Sequence, residues 1–201
     1  MIKAVIFDMG GVILDLDTGL CVRNFKEMAG FSDIEEYLNI YHQKGFISDF
    51  EEGLSSEEDF YQECLKHCPE GTSREVLEYS FQSLLTGVKP DVARQIRALS
   101  KDYDLYVLSN NNPLCTRRSL HLLEKEGIRD CFKDMFFSFR MKLLKPGEAI
   151  FRETLGQIGC KPQEALFIDD AANNVEGAKA AGLNAVMYRD GMEIRPEEFQ
   201  D

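Results

Sequence analysis

The sequence is short of positive charge: 23 lysines and arginines stand against 35 acidic residues, for a formal net charge of −12. A surface of that sign repels phosphate backbones and anionic headgroups, so neither nucleic acid nor a membrane is expected as a partner. No stretch approaches the roughly eighteen consecutive apolar residues that a membrane span needs. The apolar run in MIKAVIF is also too short for a secretory signal, and a cytoplasmic protein is expected. No Cys-x-x-Cys pair occurs among Cys21, Cys64, Cys68, Cys115, Cys131 and Cys160, which suits free thiols in a reducing compartment. The stretch Cys64-Leu-Lys-His67-Cys68 offers fewer ligands than the four of a structural zinc site, and it lies in a helical pattern. Internal repeats and low-complexity segments are missing too, which leaves no case for a solenoid or a long disordered tail.

What is present is enough chain, 201 residues, for one large domain or a core carrying a smaller insert. Short runs rich in Val, Ile, Leu and Phe are continuous rather than alternating: Ala4 to Phe7, Leu105 to Leu108, Met135 to Phe137, Ala165 to Ile168 and Ala185 to Met187. Strands covered on both faces read this way. Between them lie helical patterns such as Val92 to Leu99 and Ala149 to Leu155. The alternation predicts an α/β fold with a doubly wound, mostly parallel, Rossmann-like sheet.

One region breaks the pattern. From Thr18 to Gly87 there is no strand-like run, only amphipathic stretches such as Asp33 to Tyr41 and Glu57 to Leu65. The expected organisation is a core of residues 1–17 and 88–201 with a helical cap at 18–87. So long a crossover exceeds an ordinary connection and suggests a job of its own, such as covering a site. Residues from Phe46 to Gly53 are candidates for facing that site, although the charged stretch Asp49-Phe-Glu-Glu52 reads as solvated surface.

Chemically capable residues gather at the carboxyl ends of the predicted strands, where such sheets place their ligands. The first strand ends in Asp8, the Leu105 strand in Ser109-Asn110-Asn111-Asn112, and the Ala165 strand in Asp169-Asp170; Lys145-Pro146 follows the Met135 strand. Each has an ordinary explanation as a turn former, a helix cap or a surface lysine. The adjacent acids are harder to explain, because they repel each other unless a cation or donor intervenes.

FDMGGVI, LSN, LLKPGEAIF and FIDDAANNVEGAKAAG resemble, in order and approximate spacing, the four motifs of the haloacid dehalogenase superfamily, across essentially the whole chain. The inserted module resembles that family's helical cap. More narrowly, FDMGGVILDLD, with Gly10, Asp15 and Asp17, and the stretch Glu51 to Phe60 are similar to the bacterial α-D-glucose-1-phosphatase-like branch.

The resemblance implies a Mg²⁺-dependent phosphatase that acts through an aspartyl-phosphate on Asp8. Asp8, the backbone carbonyl of Gly10 and Asp170 would hold the metal. Asp169 would stand behind them or bind through water, and Asn174 would orient the group. Ser109 and the backbone N–H of Asn110 would donate to phosphoryl oxygens, and Lys145 would bring positive charge to those oxygens and to Asp8. Arg117 and Arg118 read as helix surface rather than phosphate contacts, and His42, His67 and His121 as structural or exposed.

The sequence departs from the family at Gly10, where ordinary phosphatases of the family carry a second Asp as general acid. Such help is worth roughly 10²–10⁴-fold, so a good leaving group is favoured. The expected substrate is a small phosphorylated metabolite, with a sugar phosphate such as glucose 1-phosphate preferred, and the expected state is a monomer. Two alternatives stand beside it: a non-catalytic protein that binds a phosphometabolite or a protein partner, and a 2-haloacid dehalogenase, which the paired acids Asp169-Asp170 disfavour.

Overall fold

The computed structural model describes residues 1–38 and 44–199. The chain opens with strand β1 (Ala4–Phe7) and passes into a two-stranded ribbon, β2 (Leu14–Leu16) and β3 (Leu85–Val88). Between the ribbon's arms lie helices α1 (Thr18–Glu27), α2 (Gly45–Glu52), α3 (Glu57–Lys66) and α4 (Arg74–Gln82). There follow α5 (Pro90–Leu99), β4 (Asp104–Ser109), α6 (Pro113–Glu126), β5 (Phe132–Phe137) and a one-turn helix, α7 (Ser138–Met141). The chain continues through α8 (Glu148–Ile158), β6 (Ala165–Asp169), α9 (Ala172–Ala180) and β7 (Asn184–Met187).

Five strands form one parallel sheet in the order β5-β4-β1-β6-β7, with Ile6 opposite Tyr106 on one side and Phe167 on the other. Both faces are covered, which is why the strand runs are continuous. Val5, Phe7, Val107 and Ile168 pack on one face with Val92 and Ile96 of α5 and Leu114 and Leu123 of α6. Ile6, Leu108 and Phe167 pack on the other with Ile150 and Phe151 of α8 and Val175 of α9. The doubly wound α/β architecture expected from the alternation is the one observed.

The first of these apolar layers does not stop at the sheet but continues into α1, α3 and α4 through Cys21, Phe25, Phe60, Leu77 and Phe81. Phe60 is its hub, stacked on Phe50 at 4.5 Å and on Phe81 at 5.4 Å. His67 belongs to the same layer: it stacks on Phe31 at 4.6 Å, and its Nδ1 lies 3.0 Å from Asp33. His121 is exposed, while His42 and residues 39–41 of the amphipathic stretch lie outside the described residues. All six cysteines are free, and no described helix is long and apolar enough to cross a membrane.

Two expectations fail. A strand, β3, does occupy the end of the region from Thr18 to Gly87, pairing antiparallel with β2 so that Leu14 faces Val88. With Thr86 and Gly87 at its centre it has no apolar run, and backbone pairing rather than burial on two faces holds it. The stretch Asp49 to Glu52 is not uniformly solvated: Phe50 is fully buried and Glu51 half-buried, because the end of α2 packs onto α7. Gly53 permits that approach, since its φ is 75° and a Cβ there would sit 2.0 Å from the Phe139 carbonyl oxygen.

Truncating the aromatic hub removes a buried ring that links two helices and leaves a cavity. Phe60→Ala is expected to lower stability by about 3–5 kcal/mol, read as an earlier urea midpoint in far-UV circular dichroism.

Candidate active site

Because β4, β1 and β6 are neighbours in the sheet, Ser109, Asp8 and Asp169 leave it side by side at the carboxyl edge. The Asp8 backbone N–H donates to the Ile168 carbonyl at 2.8 Å, which carries the pairing of β1 with β6 up to the acid itself. Into this row comes Lys145, from the segment between α7 and α8. Its Nζ is almost wholly buried and donates to Asp8 Oδ1 at 2.8 Å, Asp169 Oδ2 at 2.6 Å and the Leu108 carbonyl at 3.1 Å. An ammonium has three protons, and all three find an oxygen. The Phe167 ring, 5.3 Å from Nζ, closes the remaining side.

The neighbours fix these groups in turn. Asn110 clamps the Lys145 backbone, its Oδ1 accepting from the Lys145 N–H at 2.9 Å and its Nδ2 donating to the Lys145 carbonyl at 3.0 Å. Asp169 accepts from the Ala171 N–H at 2.8 Å and from Asn174 Nδ2 at 3.0 and 3.1 Å, so both its oxygens are engaged by the protein. Asp170 is exposed. Ser109 is buried, its hydroxyl making only a long bond of 3.3 Å to the Asn110 carbonyl. Asn112 caps α6, its Oδ1 accepting from the Cys115 N–H at 2.9 Å.

Gly11 is required where it stands. Its φ is 78°, and a Cβ would lie 2.2 Å from Asp170 Oδ2. Lys89 Nζ donates to the Gly11 carbonyl at 2.7 Å and pairs with Asp190, anchoring the loop after Asp8. Neither Lys89 nor the clamp by the Asn110 side chain is foreseeable from the sequence, since each bond joins segments far apart in the chain. Arg117, by contrast, forms ion pairs with Glu57 of α3 at 2.9 Å and Glu78 of α4 at 3.0 Å, tying α6 to the helices above it.

Among the described residues, Asp8, Asp169 and Asp170 form the one group of potential metal ligands, each with an oxygen within 4.8 Å of the others. Three carboxylates face one ammonium, so negative charge is left over. Burial pushes the Asp8 carboxyl above its ordinary range; Lys145 opposes the shift and Asp169 reinforces it. Asp170 is only partly enclosed, and that partial desolvation together with Asp169 raises its carboxyl above the ordinary value. Burial disfavours the Lys145 ammonium, but Asp169 and Asp8 outweigh it and its pKa ends above the ordinary value. Such a cluster of hard oxygens with surplus negative charge fits a divalent cation of the Mg²⁺ type. Both Asp169 oxygens are engaged by protein donors, whereas Asp8 and Asp170 are the members of the group that could offer a free oxygen to such an ion.

A model of the haloacid dehalogenase-like hydrolases matches residues 2–182. The chain belongs to that family. Among its relatives, the D-ribitol-5-phosphate phosphatase of Bacteroides thetaiotaomicron is 28% identical over 200 residues, which is 98% of this chain and 97% of the relative. A HAD family enzyme from the same organism, solved in complex with magnesium and inorganic phosphate, superposes with a TM-score of 0.88 at 26% identity and covers 100% of both chains. A HAD-like hydrolase from Porphyromonas gingivalis superposes with a TM-score of 0.82 at 31% identity, over 98% of this chain and 96% of that one.

The buried ammonium is the joint of this haloacid dehalogenase-like site. Lys145→Met strands two buried carboxylates without a counter-charge and is expected to cost about 3–5 kcal/mol in chelator, measured by urea unfolding. Added Mg²⁺ is expected to recover part of the loss in the variant, because a divalent ion supplies the missing charge.

Proposed function

We propose that the protein is a Mg²⁺-dependent phosphatase of small polyhydroxylated phosphate esters. The observation that carries this is Asp8, set at the end of a central strand with Lys145 on one oxygen and surplus negative charge beside it. The phosphatases and the Mg²⁺-phosphate complex among its relatives support the same reading. Within the class, ribitol 5-phosphate is one candidate, as the substrate of a relative. Glucose 1-phosphate is another, because of the FDMGGVILDLD motif.

In this mechanism Asp8 attacks phosphorus in line, an aspartyl-phosphate forms as the bond to the leaving oxygen breaks, and water then attacks phosphorus to release phosphate and free Asp8. Asp8, the Gly10 carbonyl and Asp170 would hold Mg²⁺, which when bound would offset the repulsion between a carboxylate and a phosphate dianion. Ser109 and the Asn110 N–H would donate to the phosphoryl oxygens, and Lys145 holds positive charge against them through the transfer. Asp169, saturated by Ala171, Asn174 and Lys145, positions Lys145 rather than reacting. Residues 18–87 serve as a cap over the core of 1–17 and 88–201. The six free thiols suit action in the cytoplasm, and a monomer suffices for a site built from one chain.

Gly10 supplies no acid, so the leaving oxygen takes its proton from solvent. The nearest atoms a Cβ at this position would meet are the Leu16 methyls, at 3.3 and 3.4 Å, the ends of a flexible side chain. Dehalogenation is disfavoured by the same surplus charge, since attack on a neutral carbon has no use for it.

Phosphate release from ribitol 5-phosphate, glucose 1-phosphate and p-nitrophenyl phosphate is expected with Mg²⁺ and not with chelator, and Asp8→Asn is expected to abolish it. Release that survives both chelator and Asp8→Asn would overturn the reading. Gly10→Asp is expected to raise kcat on a simple alkyl phosphate by about 10²-fold, the low end of what a general acid contributes, with a smaller gain on p-nitrophenyl phosphate, whose leaving group needs no proton.

A further inference from the structure

We infer that Lys89 is a positioning residue for the divalent cation: it pins the loop after Asp8, which presents the Gly10 carbonyl and backs Asp170, and the affinity for the ion depends on it. The inference rests on the phosphatase reading above. The loop needs such a fastening, because Gly10 and Gly11 have no side chains that packing could hold. Gly11 also sits at a φ of 78°, in a region that glycine enters and leaves at little cost.

Lys89 fastens the loop at two points. Its backbone N–H donates to the Ile13 carbonyl at 2.9 Å, and its Nζ donates to the Gly11 carbonyl at 2.7 Å. The peptide on the other side of Gly11 is held from within the loop, where the Gly11 N–H donates to the Leu14 carbonyl at 2.8 Å. That N–H shares a planar trans peptide with the Gly10 carbonyl, so the carbonyl is turned away from Leu14. Both peptide planes that meet at the Gly11 Cα are thereby fixed, one by Leu14 and the other by Lys89. A turn of Gly11 would be felt at once by its neighbour, since a Cβ there would lie 2.2 Å from Asp170 Oδ2.

Lys89 is itself held in place. Nζ pairs with Asp190 at 2.5 Å, has Asp15 Oδ1 at 3.9 Å, and lies 5.0 Å from the centre of the Tyr188 ring. Tyr188 is buried, and its N–H donates to the Asp169 carbonyl at 2.8 Å. Lys89 therefore ties the loop after β1 to the segment that leaves β7 beside Asp169 and Asp170. Removing it has two opposed effects on a cation: losing a like charge favours binding, and losing the fastening disfavours it. Asp190 and Asp15 already offset the charge, so the loss of the fastening is the larger effect.

The test measures the Mg²⁺ dissociation constant of the substrate-free protein by titration calorimetry, and the Mg²⁺ dependence of kcat on p-nitrophenyl phosphate. Lys89→Met is expected to weaken Mg²⁺ binding by about tenfold or more, with kcat at saturating Mg²⁺ within about threefold of the wild type, as for the loss of a group that supports metal ligands. Lys133→Met is the control: Lys133 also pairs with an acid, Asp104, but at the start of β4, and its loss should leave the Mg²⁺ constant unmoved. Lys89→Gln, polar but too short to keep the Gly11 bond from the same backbone, replaces the methionine variant if the latter unfolds below the assay temperature, with the same weakening expected. Mg²⁺ binding that is unchanged or tighter without Lys89, or a fall in kcat at saturating Mg²⁺ with no loss of binding, overturns the assignment of Lys89 while leaving the phosphatase reading intact. A wild-type protein that neither binds Mg²⁺ nor releases phosphate with it defeats that reading and this one with it.

Discussion

Everything at the carboxyl edge of the sheet depends on one buried ammonium. Taking Lys145 Nζ out of water is expensive, and the expense is met only because each of its protons reaches an oxygen, on Asp8, Asp169 or Leu108. Once that geometry is demanded, the rest of the site follows. The Lys145 backbone must be held, and the Asn110 side chain holds it from both sides. Asp169 must not turn away, and Ala171 and Asn174 occupy its remaining acceptor capacity. Asp8, at the end of its own strand, is held by a single Lys145 proton.

The charge balance explains why the site calls for a second cation. The chain carries a net charge of −12, and three carboxylates crowd around a single ammonium. A phosphate dianion approaching that point would meet repulsion both near and far. Lys145 cannot offset it alone, because its protons are already committed. The surplus is located beside Asp170, the exposed acid, against which Gly11 packs so closely that no side chain could stand there. A divalent ion at that spot would turn a repulsive pocket into an attractive one.

Much of this was legible in the sequence, for a physical reason. Parallel strands buried on both faces leave continuous apolar runs, and residues that follow such a run emerge at the edge where ligands bind, so Asp8, Ser109 and Asp169 could be read from position alone. The strand β3 could not, because it is held by backbone pairing to β2 and carries Thr86 and Gly87 where a buried strand would carry apolar residues. Lys89 and the Asn110 clamp were hidden for another reason: their partners, Gly11 and Lys145, lie on distant segments that only the folded sheet brings together. Glu51 was misread with its neighbours as solvated surface, because a charged stretch at the end of a helix looks the same whether or not a second helix docks on it.

The ribbon that escaped the sequence also sharpens the meaning of Gly10. Leu16, at the end of β2, lays its methyl groups over the place where a side chain at position 10 would begin, yet it remains 45% exposed. The position of the missing acid is therefore bounded by an apolar side chain of the ribbon rather than by another carboxyl. A leaving oxygen next to it gains no proton from the protein and reaches bulk water less readily. The chain can tolerate this only if the oxygen departs well unaided, or if the leaving group is held firmly enough elsewhere that binding offsets part of the barrier.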